Sequence, residues 1–160
     1  MTVPQPRLSR RFDSLEQEVF LNLWRTYDRL RALEDELFAA HELTPQQYNA
    51  LRILKSEHPG TVPTLDLATC LVSRAPDITR LLDKLEQRGL IERDRRPENR
   101  RVVRIGITQT GLDLLAKLRE PILACHVRQL GHLAHTQLKE LVGLLREARG
   151  PHEIPESPWR

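Results

Sequence analysis

Apolar residues at Leu15, Val19, Phe20, Leu23, Trp24, Tyr27, Leu30, Leu33, Leu37 and Phe38 recur at three- and four-residue steps. That is the period of one helix face, so the pattern predicts a long amphipathic helix over about 13–40, with Asp13 or Ser14 as its cap. The stripe is longer and more aromatic than one small globule needs, and part of it is expected to face another subunit. A second helix starts at Thr44-Pro45-Gln46-Gln47: Thr44 caps, Pro45 suits the first helical position and Gln47 completes a capping box. Tyr48, Leu51 and Leu54 or Ile53 form its buried face, and His58-Pro59-Gly60 ends it.

Thr61-Val62-Pro63 is a short extended piece, after which Thr64 is a cap for a third helix carrying Leu65, Leu67, Ala68 and Leu71. Ser73 is the candidate cap of a fourth, with Pro76 in a first turn that needs no N–H. Ile78, Leu81, Leu82 and Leu85 give it one apolar face, while Asp77, Thr79, Arg80, Asp83, Lys84 and Gln87 give a polar one. Arg88-Gly89 supplies a basic last turn and a left-handed stop. Leu90-Ile91-Glu92-Arg93 then reads as a strand, and residues 101–107 as another, with Val103, Ile105 and Ile107 on one face. The polar segment between them makes the tip of a β-hairpin. Thr108 caps a fifth helix through Leu112, Leu115, Leu118 and Ile122, with a kink expected at Pro121. A sixth covers about 135–148, and the proline-bearing tail after it is expected to be loose.

Charge sharpens this picture. The chain of 160 residues carries a net charge of only +3, but residues 74–104 hold ten basic against six acidic groups, a local +4. Within residues 93–104, six arginines face two acids, so the hairpin tip carries the excess. Charge clustered in one segment is the electrostatic footprint of a nucleic-acid binder. A short helix, a tight turn, a helix with a polar outer face and a basic hairpin together describe a winged helix-turn-helix. The fold class is therefore mainly α with a small β-hairpin wing. The major groove of duplex DNA admits one such helix, and an arginine-tipped wing reaches the adjacent minor groove.

The stretches APDITRLLDKLEQRGLIERD and NRRVVRIGITQTG, preceded by LTPQQYNALRIL, resemble the recognition helix, wing and second helix of the MarR (multiple antibiotic resistance regulator) family. The similarity spans roughly residues 15–148. Family members usually carry Asp-x-Arg seven residues ahead of the Thr of a Leu-Thr-x-x-Gly turn. Counting back from Thr108 places that arginine at Arg101 and the acid at Asn99, an amide here. The resemblance implies DNA contacts by Arg74, Asp77, Thr79 and Arg80 on the recognition helix and by Arg95, Arg96 and Arg101 in the wing. Lys84, further along the helix, is expected to meet phosphate or solvent. The implied organisation is one MarR-like domain over 13–148. Residues 44–107 form its winged core, 13–40 and 108–148 its dimerisation helices, and 1–12 and 149–160 its flexible tails. The implied partners are a second copy of the chain and a pseudo-palindromic duplex operator. The implied activity is that of a repressor released by a small, often aromatic, effector, with Trp24, Tyr27, His41 and Tyr48 as candidate pocket residues.

Other chemistry finds less support. No nucleophile elbow, phosphate loop or HExxH motif is present, so catalysis is not expected, nor any cofactor. Cys125-His126 with His132 and His135 is the one cluster with metal-binding residue types, and Gly131 splits it, so no metal is expected. Cys70 and Cys125 are too few for a disulfide framework and show no activating pattern. A metal- or redox-sensing regulator of the same fold, or a winged helix serving only as a protein-interaction module, are the alternatives. With no apolar run long enough to span a bilayer and no signal-peptide pattern, a cytoplasmic protein is expected.

Overall fold

The computed structural model describes residues 12–73, 77–94, 98 and 101–160. Among the described residues, six α-helices and three short strands follow in the order α1 Leu15–Ala39, α2 Pro45–Glu57, β1 Val62–Pro63, α3 Thr64–Cys70, α4 Ile78–Gln87, β2 Ile91–Asp94, β3 Arg104–Ile107, α5 Gln109–Leu130 and α6 His135–Arg149. The strands form one antiparallel sheet in the order β1-β3-β2, with Ile91 opposite Ile107 and Val62 opposite Ile105. Leu51, Leu54, Leu67, Leu82, Leu85, Ile105 and Leu118 are fully buried, so α2, α3, α4, the sheet and the first half of α5 share one core.

Local chemistry accounts for most boundaries. Ser14 Oγ accepts the Gln17 N–H at the start of α1. Thr44 and Gln47 form the reciprocal capping box of α2. At the end of α4, the Gly89 N–H bonds to the Glu86 carbonyl and the Leu90 N–H to that of Leu85, a Schellman closure with Gly89 at φ +68°. Thr108 then does two jobs. Its hydroxyl accepts the Gly111 N–H as a helix cap and donates to the Gly89 carbonyl at 2.6 Å. A Cβ on Gly111 would lie 2.4 Å from the Leu90 carbonyl oxygen, so only glycine lets α5 start this close to the hairpin.

Several expectations need correction. Thr64 is the first residue of α3 rather than its side-chain cap; its backbone N–H and its hydroxyl both donate to the Val103 carbonyl. Asp77, not Ser73, caps α4, accepting the Arg80 N–H at 2.9 Å, and Pro76 lies outside the described residues. The extended piece at 61–63 contributes a third strand, because it pairs with β3. The second hairpin strand is shorter than 101–107, starting at Arg104. Helix α5 extends beyond Ile122 to Leu130, with Pro121 inside it. In the segment after α6, residues Gly150–His152 form a 3₁₀ turn, and Trp159 Nε1 donates to the Cys70 carbonyl at 3.2 Å.

The two ends of the chain look different from the core. Along α1 only Phe38 is buried, while Leu15, Phe20, Trp24 and Tyr27 are each more than 60% exposed. Helix α6 has no buried residue; Val142 and Leu144 on it, and Leu123 and Val127 on α5, are exposed. The chain exposes 12657 Å² of surface, against about 8,200 Å² for a compact folded monomer of this mass.

Candidate nucleic-acid interface

The outer face of α4 follows from its amphipathic pattern. Leu82 and Leu85 are buried and Ile78 and Leu81 pack partly against the core, which leaves Asp77, Thr79, Arg80 and Lys84 exposed on the far side. Asp77 has a local task as the N-cap, and Thr79, Arg80 and Lys84 are spread over the turns after it. Arg74, Arg95 and Arg96, along with Asn99, lie outside the described residues. Arg101 is described and exposed, three residues ahead of β3.

Thr79 and Arg101 both line an open cleft between the start of α3, α4 and the hairpin. Its floor and walls include Thr64, Leu82, Asp83, Arg93 and Val103, and its volume is about 550 Å³. That is within the range of small-molecule sites, roughly 300–1,000 Å³.

Not every arginine of the hairpin faces outward. The Arg93 side chain is only 11% exposed, bridging Asp83 at 2.7 Å and Glu86 at 2.6 Å, with a longer bond to the Thr79 carbonyl. It joins β2 to α4. Arg104 donates to the Thr61 hydroxyl at 2.8 Å and the Thr61 carbonyl at 2.6 Å, joining β3 to the chain ahead of β1. Arg88 donates to the carbonyls of Glu42 and His41, holding the α1–α2 turn where Glu42 adopts φ 54°. The tip's net excess of charge stands as counted, but two carboxylates of α4 pair with Arg93. Sequence reading missed these three clamps because each joins residues of different elements. The only trace of them was two acids, Asp83 and Glu86, on a helix face otherwise suited to an anionic partner.

The four candidate effector residues do not converge within one chain. Tyr48 stacks on Phe38 with ring centroids 4.8 Å apart, half-buried against the core. Trp24, fourteen residues earlier on α1, is about 20 Å from Phe38 along the helix axis. Trp24 and Tyr27 are 64% and 61% exposed, and His41 is half-buried in the turn after α1.

The cysteine–histidine cluster is likewise divided. Cys125 is buried, and burial, then the nearby Glu34 carboxylate, raise its thiol pKa, with Arg128 opposing. His126 Nδ1 lies 2.9 Å from Gln129 Oε1, and the buried Gln129 amide donates to the Leu30 carbonyl, tying α5 to α1. Gly131 ends α5 and His135 begins α6.

A three-helix core with a hairpin beside an exposed, capped fourth helix is a winged helix-turn-helix. The sequence profile of the MarR family matches residues 43–103. A crystal structure of a MarR transcription factor from Planctomyces limnophilus is 56% identical; the match covers 84% of this chain and 98% of that one, with a TM-score of 0.68. The chain belongs to the MarR family of transcription regulators. The transcriptional repressor MprA of Escherichia coli (strain K12) is 27% identical over 143 residues, covering 88% of this chain and 81% of its own. The fold is also shared with Bordetella bronchiseptica BpsR, described as regulated in DNA binding by 6-hydroxynicotinic acid. That match is 21% identical, with a TM-score of 0.75, and covers 86% of this chain and 97% of BpsR.

Proposed function

We propose that the protein is a homodimeric repressor that binds a pseudo-palindromic duplex operator and releases it when a small aromatic effector binds. The observation that carries this reading is the exposed face of α4, Thr79, Arg80 and Lys84, beside an open cleft that Thr79 and Arg101 of the wing both line. One element is shaped for the major groove, and a cation stands beside it for the neighbouring backbone or minor groove. Asp77, Thr79 and Arg80 are the described candidates for base contact at the helix N-terminus, with Arg74, Arg95 and Arg96 as further contacts. The unpartnered apolar faces of α1, α5 and α6 supply the dimer interface, which would set two α4 helices about one DNA turn apart. This is a regulator without catalytic activity, acting in the cytoplasm where its operator lies.

The effector acts by moving these parts. An occupant of the cleft pushes between Thr79 and Arg101, whereas Trp24 and Tyr27 join an effector site only where a partner protomer covers α1. A ligand favouring the DNA-incompetent arrangement by about 3 kcal/mol lowers operator affinity more than a hundredfold. The test is a gel-shift titration on genomic fragments at several salt concentrations, repeated with a panel of aromatic acids and phenols. Selective retention of a few fragments, lost steeply with salt and reversed by one of the compounds, is the expected result. Equal binding to all fragments at low salt would instead favour a protein-interaction module. Release by peroxide or by metal, with no response to any organic compound, would favour the sensor alternatives.

A further inference from the structure

The α3–α4 turn begins directly after Cys70, and two contacts hold its start, one from α2 and one from the segment after α6. From α2, Asn49 Oδ1 accepts the Val72 N–H at 2.8 Å. From the segment after α6, the Trp159 indole N–H donates to the Cys70 carbonyl at 3.2 Å. Trp159 is itself fixed from behind. Its carbonyl accepts two bonds from the Arg149 guanidinium, at 3.0 and 3.2 Å, and its ring lies 5.8 Å from the same group. Arg149 also pairs with Glu153 at 3.1 Å, and the 3₁₀ turn at Gly150–His152 starts the reversal that brings the chain back. Eleven residues after the end of a helix that buries nothing in its own chain therefore return to the head and close on the turn ahead of α4.

We infer that residues 149–159 form a strap in which Trp159 is a positioning residue for operator binding, fixing the angle of α4 relative to α6. The inference rests on the proposed function, since a fixed angle matters only if two α4 helices must match two half-sites. Its physical basis is preorganisation. A head tied to α6 samples fewer α4 spacings before it meets DNA, so less ordering remains to be done on binding. It also offers a route for coupling, because a shift of α6 against a partner would reach the turn through Arg149 and Trp159. The indole N–H has a specific acceptor in Cys70, which separates this contact from general hydrophobic cover.

The strap is tested on full-length protein with Trp159→Ala and the milder Trp159→Phe, which keeps a ring for Arg149 but has no donor. In the DNA-free protein, hydrogen exchange at the Leu71–Ser73 amides should quicken in both variants. Operator binding is then measured on duplexes selected from a random library by the wild-type protein, and on the same duplexes with one or two base pairs inserted between half-sites. Loss of one neutral hydrogen bond in each of two protomers should weaken binding to the selected duplex about tenfold. The decisive readout is spacing. Wild type should reject the lengthened duplexes, and Trp159→Ala should reject them less. If both variants keep the wild-type exchange rates, or if weakened binding comes with unchanged spacing discrimination, the strap has no positioning role. If wild type selects no duplex at all, the regulator reading fails, and the strap then stands or falls on the exchange measurement.

Discussion

Removing the Arg93 side chain separates the two roles that arginines play in this hairpin. Arg93 is 11% exposed and holds Asp83 and Glu86, which are 47% and 42% exposed, at 2.7 and 2.6 Å. Two charge-assisted bonds to buried partners would contribute about 1.5–3 kcal/mol each, but half-exposed acceptors are screened, so about 2 kcal/mol in total is expected for Arg93→Ala. Operator affinity should fall as well, because α4 loses its tie to β2 and keeps two unpaired carboxylates near the DNA. The salt dependence, however, should not change. Affinity falls with log salt by about 0.9 per neutralised phosphate, and Arg93, spent on internal carboxylates, neutralises none. Arg101→Ala should change that slope instead, making it shallower by about 2 for a dimer with one phosphate contact per protomer. Urea unfolding gives the first quantity, and fluorescence anisotropy on one duplex from 50 to 200 mM salt the second. An Arg93→Ala variant with wild-type unfolding and a flattened salt slope would falsify the clamp and make Arg93 a phosphate contact.

Gly111→Ala should cost at least about 2 kcal/mol by urea unfolding, since its Cβ would enter the Leu90 carbonyl and Ile107 side chain; an ordinary surface effect below 0.5 kcal/mol would contradict that close approach. The raised pKa of Cys125 keeps its thiol neutral when folded, so native alkylation at pH 8 should be slower there than at the half-buried Cys70, read by mass spectrometry. The same shift has a sign for stability: the contribution is intact below the unfolded thiol value of about 8.5 and declines as pH rises through the higher folded value. Cys125→Ala should therefore lose less stability than wild type between pH 8 and 10. Sedimentation should give about twice 18.6 kDa, and Phe20→Glu with Trp24→Glu should shift it toward the monomer.

What could be read from the sequence was local. The α2 capping box, the Arg88-Gly89 stop and the Thr108 cap each place their partners within five residues, so spacing alone reveals them. The α4 start was less legible because Ser73 and Asp77 are both good capping types one helical turn apart, and only the observed Asp77 bond to the Arg80 N–H chooses between them. Strand β1 was hidden for a different reason. Two residues, one of them proline, carry no alternation, and their pairing with β3 spans more than forty positions. The candidate interface divided in the same way. An exposed α4 face follows from periodicity, but whether an arginine points at DNA or at Asp83, Glu86 or Thr61 depends on tertiary contacts. Trp159 is the extreme case, bonded to a carbonyl 89 residues away by a segment whose prolines suggested only irregularity.

The most direct test of a two-fold DNA reader is the stoichiometry and symmetry of its complex. A duplex selected by the wild-type protein should bind two protomers, measured by sedimentation with labelled DNA. Its hydroxyl-radical footprint should show two equal protected half-sites, centred about 34 Å apart and related by a dyad. A complex of one protomer per duplex, or protection spread evenly along every fragment, would contradict it.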